Sequence, residues 1–336
     1  MKTLLGLAIV AFVFLIPSLT ENEFELHLLI LTAIYLLLAH GLNLIMGYTG
    51  QLSKAQAAFW GIGAYASALL MMRVGLNFWL ALPAAGLFVA LVAIGVGIPA
   101  LNLRGIYFAI ATIGFAEVAR MVMINWISLT QGPMGLVGIP PPSGIHLFGL
   151  VDVEFVSVRS FYYLTASFAV AGTAVMAVIV NSRLGRAFIA IREDEDLAET
   201  MGLHTKKYKI LSFAISGFYA GVAGSLYAHY IQFLEPINFI LIEAIYILIM
   251  VISGGSGALY GPVLGAIVFT QLPERLTELP GVLSVPKESW AVFYGLLLMV
   301  VILFMPRGMW GGLEALWSWV TRGRRRPSTL EAESES

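Results

Sequence analysis

Residues that could carry out chemistry are scarce in this chain, and their spacing does not fit catalysis. The sequence has no cysteine, which excludes thiolate metal ligands and cysteine nucleophiles. Its five histidines form neither a Ser/His/Asp arrangement nor a spacing typical of metal ligands. No phosphate-binding loop of the form G-x-x-x-x-G-K-[ST] is present, because Lys54 follows "GQLS" without the required glycine spacing. We therefore predict no catalytic residue, no metal and no cofactor in this chain.

The densest group of charged side chains lies in "SRLGRAFIAIREDEDLAETMGLHTKKYK", residues 182–209. We predict a helix that begins near Arg192 and ends at Gly202, because residues 187–201 contain no Gly or Pro and Gly202 is a suitable C-cap. The helix dipole favours the acidic residues that would occupy its first turn: Asp194, Glu195 and Asp196. Leu197 and Met201 are spaced i, i+4 and give the helix an apolar edge. Such a helix suits docking into a partner's groove, whereas a solvated charge cluster that fixes membrane topology is the alternative.

A second group of polar side chains falls inside apolar segments, where such residues usually face one another or a cavity. Glu117 and Arg120 are spaced i, i+3, so we expect them to pair on one helix face rather than contact a substrate. Glu243 lies a few residues inside an outer helix end, and we expect its carboxylate to reach the membrane interface. His40 is expected to make a buried hydrogen bond between helices.

Two glycine-rich, weakly polar stretches interrupt the apolar pattern, one in each half of the chain. They are "GYTGQLSKAQAAFWGIGAY" at 47–65 and "SGGSGALYGPVLGA" at 253–266. Paired interruptions of this kind indicate a transport site, because exposed helix ends can meet a substrate's charged groups. The candidate residues for a translocation path are Gln51, Ser53, Gln56, Ser253, Gly254 and Gly255. The alternative is a pair of flexible linkers that absorb a conformational change.

The elements that must position these residues are membrane-spanning helices. Hydrophobic residues make up 59% of the chain and charged residues only 12%, which no soluble domain of this size could accommodate. Several runs approach the 18 or so apolar residues that a bilayer-spanning helix needs. We predict an all-α polytopic membrane protein with about ten transmembrane or re-entrant helices. The segments are 3–20, 25–46, 55–72, 78–98, 105–127, 160–181, 210–232, 239–253, 258–272 and 290–305, of which 239–272 is a candidate broken or re-entrant pair.

The basic residues orient these segments. If the N-terminus is inside, few basic residues fall outside, namely Arg73, Arg159, Arg275 and Lys287, as the positive-inside rule requires. Residues 1–310 then form the membrane domain, with both termini in the cytoplasm, an outer loop at 128–159, an inner loop at 182–209 and a cytoplasmic tail at 311–336. The outer loop is either a stiff connector or a lid or docking surface. Residues 1–20 have a second interpretation, a cleaved signal peptide.

Several motifs together resemble a known family. "DLAETMG", residues 196–202, resembles the cytoplasmic EAA motif of ABC-importer permeases, with Asp196 in place of Glu and Leu197 in place of the first Ala. Six stretches between about Gly47 and Ala266 resemble the LivM-type permease of branched-chain amino acid ABC importers. They are "GQLSKAQAAFWGIGAYASALL", "LRGIYFAIATIGFAEVAR", "TQGPMGLVGIPPP", "GRAFIAIREDEDLAETMGL", "FAISGFYAGVAGSLYA" and "MVISGGSGALYGPVLGA". This chain has Ala55-Gln56 where relatives often have Gly-His, and glutamine cannot acquire the histidine's positive charge.

The resemblance implies a permease of a bacterial inner membrane, without enzymatic activity of its own. It implies a second, LivH-type permease subunit, two cytoplasmic ATPase subunits and a periplasmic substrate-binding protein as partners, and no nucleic acid. The inner loop would be the coupling helix that contacts an ATPase through Arg186, Arg192, Glu193, Glu195 and Asp196, with Gly202 closing the helix. A related permease for urea or short amides and a stand-alone secondary transporter are the alternatives.

Overall fold

The computed structural model describes residues 11, 13–18, 22–103, 105–147, 151–155, 157–277, 295, 299, 308–313 and 315. Six helices in this part of the chain are long and apolar enough to cross a bilayer. They are α1 (Glu23–Asn43, continued by a π-helical turn at Leu44–Tyr48), α2 (Gln56–Val74), α3 (Phe78–Ala100), α4 (Ile106–Asn125), α6 (Val158–Asn181) and α9 (Thr205–Ile231). The protein is therefore a helical, polytopic membrane protein, as predicted. We call the end of the bundle that carries residues 182–209 the inner end, after the predicted topology.

Two shorter apolar helices, α10 (Leu241–Gly255) and α11 (Gly261–Thr277), form the predicted short pair. They pack as a hairpin with little space between their backbones. A methyl group at Gly254 would lie 2.7 Å from the Gly261 carbonyl carbon, and one at Gly265 would lie 2.7 Å from that of Met250. The predicted segment 3–20 is described only in part, where residues 13–18 are helical, and 290–305 and the 311–336 tail lie almost entirely outside the described residues.

Helices α1 and α9 form the centre of the bundle. In α1 and α9, 78% and 72% of the apolar stretch is buried within the protein, against 28% in α6. Small residues let α9 approach its neighbours, because a methyl group on Gly63 of α2 would lie 2.8 Å from the Gly221 carbonyl oxygen. Gly217 similarly lies against the backbone of Val89 in α3. The glycine-rich face of α9 thus acts in helix packing.

The outer loop is ordered where it is described. After α5 (Ile127–Thr130) and a 3₁₀ turn at Gly132–Met134, β1 (Leu136–Val137) pairs antiparallel with β4 (Phe233–Leu234), which follows α9. A hairpin of β2 (Ile145–Leu147) and β3 (Val151–Val153) comes next. His229 of α9 bonds the Pro140 carbonyl at 2.8 Å. The loop is therefore fixed to the transmembrane bundle.

The inner loop folds differently from the single helix predicted to begin near Arg192. It forms two helices, α7 (Arg183–Glu193) and α8 (Glu195–Thr200), with the break at Asp194. The Asp194 side chain accepts a hydrogen bond from the Leu197 N–H at 2.9 Å and so acts as the N-cap of α8, a position that aspartate favours over the helix interior. Gly202 follows the helix with a positive φ of 87°, and its N–H bonds the Glu199 carbonyl. The predicted C-cap and the acidic first turn are both present.

Candidate coupling and translocation site

The inner loop is attached to the bundle by an apolar face and a buried ion pair. Ala187, Phe188 and Ile191 of α7 are buried. Lys209, near the start of α9, is only 2% exposed and lies 2.5 Å from the Glu195 carboxylate of α8. The sequence places Lys209 among the charged residues of the inner loop and gives no direct indication of this buried pair. Lys209 lies three and four residues before Ser212 and Phe213 on one buried face of α9, and this spacing is the signal that could have indicated its burial.

Arg192 connects this loop to both glycine-rich stretches. Its Nη1 donates a hydrogen bond to the Gly47 carbonyl at 2.6 Å. A methyl group at Gly50 would lie 2.8 Å from Arg192 Cγ, and one at Gly257 would lie 2.7 Å from Nη1. Both glycines also have positive φ, 76° and 79°, which side chains rarely tolerate. The Arg192 side chain therefore packs against two backbone positions that require glycine.

The two interruptions contact each other at the same place. Asn43, at the end of α1, accepts a hydrogen bond from the Gly257 N–H at 2.8 Å and donates one to the Ala258 carbonyl at 2.9 Å. Gly47 lies directly against the Gly257 backbone. The structure thus joins the inner end of α1 to the α10–α11 turn, with Arg192 beside both.

The other candidate path residues use their polar groups within the protein. Gln56 is buried, donates to the Leu38 carbonyl at 3.0 Å and accepts from the Ser216 hydroxyl at 3.0 Å, so it links α1, α2 and α9. The Ser253 hydroxyl donates to the Ile249 carbonyl, and Ser53 is buried and accepts from the Ala55 N–H. Gly254 and Gly255 pack against Gly261. Gln51 is only half-buried, and its backbone N–H bonds Ile45. Their role in translocation stays a prediction.

The exposed surface of the loop combines charged and apolar side chains. Arg186, Ile189 and Glu193 are exposed and follow one face of α7 by their helical spacing. Leu197 and Met201 are 60% and 78% exposed, so the predicted apolar edge is unburied in this chain. Asp196 is also exposed, whereas Glu195 turns to Lys209 and Arg192 also pairs with Glu193 at 2.7 Å.

The intramembrane polar residues divide into two environments. Glu117 and Arg120 form the predicted i, i+3 ion pair on the outside of α4, with side chains 48% and 24% exposed. We expected the Glu243 carboxylate to reach the membrane interface. It instead accepts a hydrogen bond from the Tyr35 hydroxyl at 3.0 Å. Tyr35 lies near the middle of the α1 span. The segment between α9 and α10, residues 232–240, also contacts the bundle, since Phe239 packs against Trp60 of α2.

His40 makes the interhelical hydrogen bond that was predicted. Its Nε2 lies 3.0 Å from the Thr173 hydroxyl of α6. At the outer end, His229 Nε2 lies 2.9 Å from Ser67 and its Nδ1 faces the Pro140 carbonyl. Because a carbonyl only accepts, Nδ1 is the donor and Ser67 donates to Nε2. These histidines hold helices and the outer loop together.

The sequence matches known transport proteins over most of its length. Residues 25–302 match the family of branched-chain amino acid transport system permease components. The chain is 33% identical over 296 residues to the high-affinity branched-chain amino acid transport permease LivM of Escherichia coli K12, covering 83% of this chain and 68% of that protein. It is 34% identical over 303 residues to LivM of Salmonella typhimurium, with the same coverage. LivH of Salmonella typhimurium is 27% identical over 298 residues, covering 83% of this chain and 92% of LivH.

No solved structure matches the chain significantly. The family match spans well over half of the chain and includes the inner loop, both glycine-rich stretches and Glu243. The LivM identities exceed 30% over most of both proteins. This chain therefore belongs to the family of permease components of branched-chain amino acid transport systems.

Proposed function

We propose that this chain is a translocating permease subunit of an ATP-driven importer for branched-chain, hydrophobic amino acids in a bacterial inner membrane. It works beside a LivH-type permease subunit, with two cytoplasmic ATPase subunits and a periplasmic substrate-binding protein. Both termini are cytoplasmic. The functions of the LivM and LivH relatives support this assignment, as does the absence of a phosphate-binding loop from the sequence. ATP is hydrolysed by the partner subunits.

The contact of Arg192 with both glycine-rich stretches carries the proposal. An ATPase that pulls or pushes the inner loop moves Arg192, and with it the inner ends of α1 and α10. The Asp194 break lets α8 change its angle to α7 without unfolding either helix. The Lys209–Glu195 pair transmits the same motion to α9, at the centre of the bundle. Motion driven by the ATPase is thus transmitted to α1 and α10 through Arg192 and to α9 through Lys209.

The docking surface for the ATPase consists of six exposed residues on α7, on α8 and directly after α8. Its apolar members are Ile189, Leu197 and Met201, and its charged members are Arg186, Glu193 and Asp196. Exposed apolar residues rimmed by charges are typical of a surface that a partner covers. α8 ends at Thr200, and Met201 and Gly202 follow it directly.

A matched pair of methionine substitutions tests this surface. Met201→Glu places a charge at the apolar edge and is expected to lower co-purification of the ATPase with the permease by about tenfold, because burying an unpaired charge is costly. Met134→Glu is the control, since Met134 is 86% exposed in the outer loop at the opposite end of the chain's fold. Equal ATPase recovery with Met201→Glu and wild type would contradict the assignment of the docking surface.

A further inference from the structure

Glu243 occupies an environment that a merely structural carboxylate does not require. It is half-buried in a membrane-spanning bundle, and no ion pair within the described part of the chain includes it. The one hydrogen bond that its carboxylate accepts there comes from Tyr35 and uses Oε2. An ionisable residue inside a membrane protein faces a cavity, a partner or a substrate path rather than lipid. We therefore expect the exposed part of Glu243 to face a partner or a substrate path.

Aromatic rings lie around the tyrosine that bonds this carboxylate. Tyr35 lies 5.7 Å from Tyr246 and 5.8 Å from Trp60, measured between ring centroids. Trp60 in turn lies 4.7 Å from Tyr227. We call Tyr35, Trp60, Tyr227, Glu243 and Tyr246 the midplane cluster, because Tyr35 lies near the middle of its span. Aromatic faces within about 6 Å of a cation attract it, and a carboxylate adds a direct charge partner.

The cluster also contains a hydrogen-bond donor that lacks an acceptor. The Trp60 side chain is only 2% exposed, and no acceptor for its indole Nε1 lies among the described residues. An unsatisfied buried donor carries a desolvation cost, so native proteins rarely keep one without a reason. The indole N–H can only donate. A ligand that satisfies the cluster must present a cation to Glu243 and an acceptor to Trp60.

A zwitterionic α-amino acid has both groups on one carbon atom. We propose that the midplane cluster is a substrate-binding station of the translocation path, where Glu243 and the tyrosine rings hold the substrate's ammonium group and Trp60 Nε1 donates to its carboxylate. This inference rests on the proposed function and goes further, since it selects a zwitterion over an uncharged urea or amide. It also moves the station away from the inner-end residues that the sequence suggested.

The station connects to the coupling contacts through the helices that carry it. Tyr35 belongs to α1, which leads to Gly47, and Glu243 and Tyr246 belong to α10, which leads to the Gly257 turn. Arg192 contacts both of these inner ends. The rings of the cluster contact one another in this structure, so a ligand enters only when α1 and α10 separate. Motion of the inner loop opens and closes the station by that route.

Substitutions at Glu243 and Tyr35 distinguish a role in substrate binding from a purely structural role. Glu243→Gln retains an oxygen that accepts from Tyr35 but removes the charge, whereas Tyr35→Phe removes the hydrogen bond and retains the charge. In proteoliposomes that contain the complete importer and its binding protein, we expect Glu243→Gln to lower leucine uptake by about tenfold or more, the effect of losing a charged partner. Glu243→Asp retains more uptake than Glu243→Gln, and Tyr35→Phe has the smaller effect.

The control removes another intramembrane carboxylate without leaving an unpaired charge. The double variant Glu117→Gln/Arg120→Gln on the outside of α4 is expected to transport leucine like wild type. Basal ATP hydrolysis should be unchanged in this control, and the second permease subunit should co-purify with Glu243→Gln as it does with wild type. Cross-linking of a diazirine analogue of leucine to the purified complex should label peptides of α1, α2 or α10.

The possible failures are distinguishable. If the wild-type importer takes up no amino acid, the proposed function fails and the station fails with it. If wild type transports leucine and Glu243→Gln matches it, only the station is overturned. Loss of the second permease subunit from Glu243→Gln complexes would assign Glu243 to the subunit interface and also overturn the station.

Discussion

At the residue scale, Arg192 contributes more than its charge. Its guanidinium reaches the Gly47 carbonyl, and its aliphatic part lies against Gly50 while Nη1 approaches Gly257. The long side chain thus reaches from an exposed loop to the contact between the inner end of α1 and the α10–α11 turn. Lysine could not provide the same planar set of donors.

Replacement of Arg192 is therefore expected to uncouple transport without preventing docking. Arg192→Ala removes the contact with Gly47 and should lower ATP-dependent leucine uptake by about tenfold, because a charge-assisted hydrogen bond is lost. ATPase co-purification should fall less than twofold or so. Arg183→Ala, at an exposed position of the same helix, is the control for removing a positive charge. Wild-type uptake in Arg192→Ala would show that this contact does not transmit motion.

The Lys209–Glu195 pair makes a separate prediction about stability. Lys209→Met leaves Glu195 without its partner and should destabilise the inner end by about 2–3 kcal/mol, less than the ~3–5 kcal/mol of a fully enclosed pair because Glu195 retains contact with water. The double variant Lys209→Met/Glu195→Leu should recover most of that loss. Thermal unfolding of the detergent-solubilised protein measures both. A double variant less stable than Lys209→Met would contradict the ion-pair explanation.

At the scale of elements, glycines determine how closely the helices approach. A methyl group on Gly224 of α9 would lie 2.6 Å from the Ala64 amide nitrogen, so Gly224→Ala must force α9 away from α2. We expect a loss of about 1–3 kcal/mol, as for other overpacked cores. Gly114→Ala in α4 is the matched control, because nothing lies within 4 Å of the added methyl group. That control should be neutral or stabilise the helix by up to about 1 kcal/mol.

Thermal melting of the two alanine variants compares them directly. Similar midpoints for Gly224→Ala and Gly114→Ala would mean that the α2–α9 contact tolerates a methyl group. A selective loss in Gly224→Ala would attribute the glycine-rich pattern of α9 to backbone packing. In the α10–α11 hairpin, a methyl group at Gly254 or Gly265 would likewise meet the backbone of the facing helix.

At the scale of the whole molecule, the absence of cysteine gives a direct test of orientation. Single cysteines at Met134 and Met201 place one thiol at each end of the fold, and both positions are largely exposed. A membrane-impermeant maleimide should label Met134→Cys in cells with a permeabilised outer membrane. Met201→Cys, expressed without the ATPase, should be labelled only after the inner membrane is opened. The reverse pattern would invert the topology and exclude an ATPase at the inner loop.

The sequence by itself determined the class of this protein. Its composition and apolar segment lengths require membrane helices, and the inner loop's charges, its acidic turn and Gly202 indicate the candidate coupling region. These features depend on local chemistry: solvation of apolar runs, helix capping and the position of basic residues. The same local rules missed the break at Asp194, because the sequence lacks Gly or Pro there and the acidic residues 194–196 also fit the first turn of a helix that begins near Arg192.

Only the tertiary structure decided which distant residues meet. A single sequence does not indicate which distant segments come into contact. The contacts that only the structure shows are those of Arg192 with Gly47 and Gly257, of Lys209 with Glu195, and of Glu243 with Tyr35. Glu243 was expected to reach the membrane interface, but it bonds Tyr35 within the bundle. Segment 232–240 already contacts the bundle before α10 begins. Helix periodicity fixes which face a residue occupies, but the level at which two helices pack depends on close backbone contacts such as that of Gly63 with Gly221.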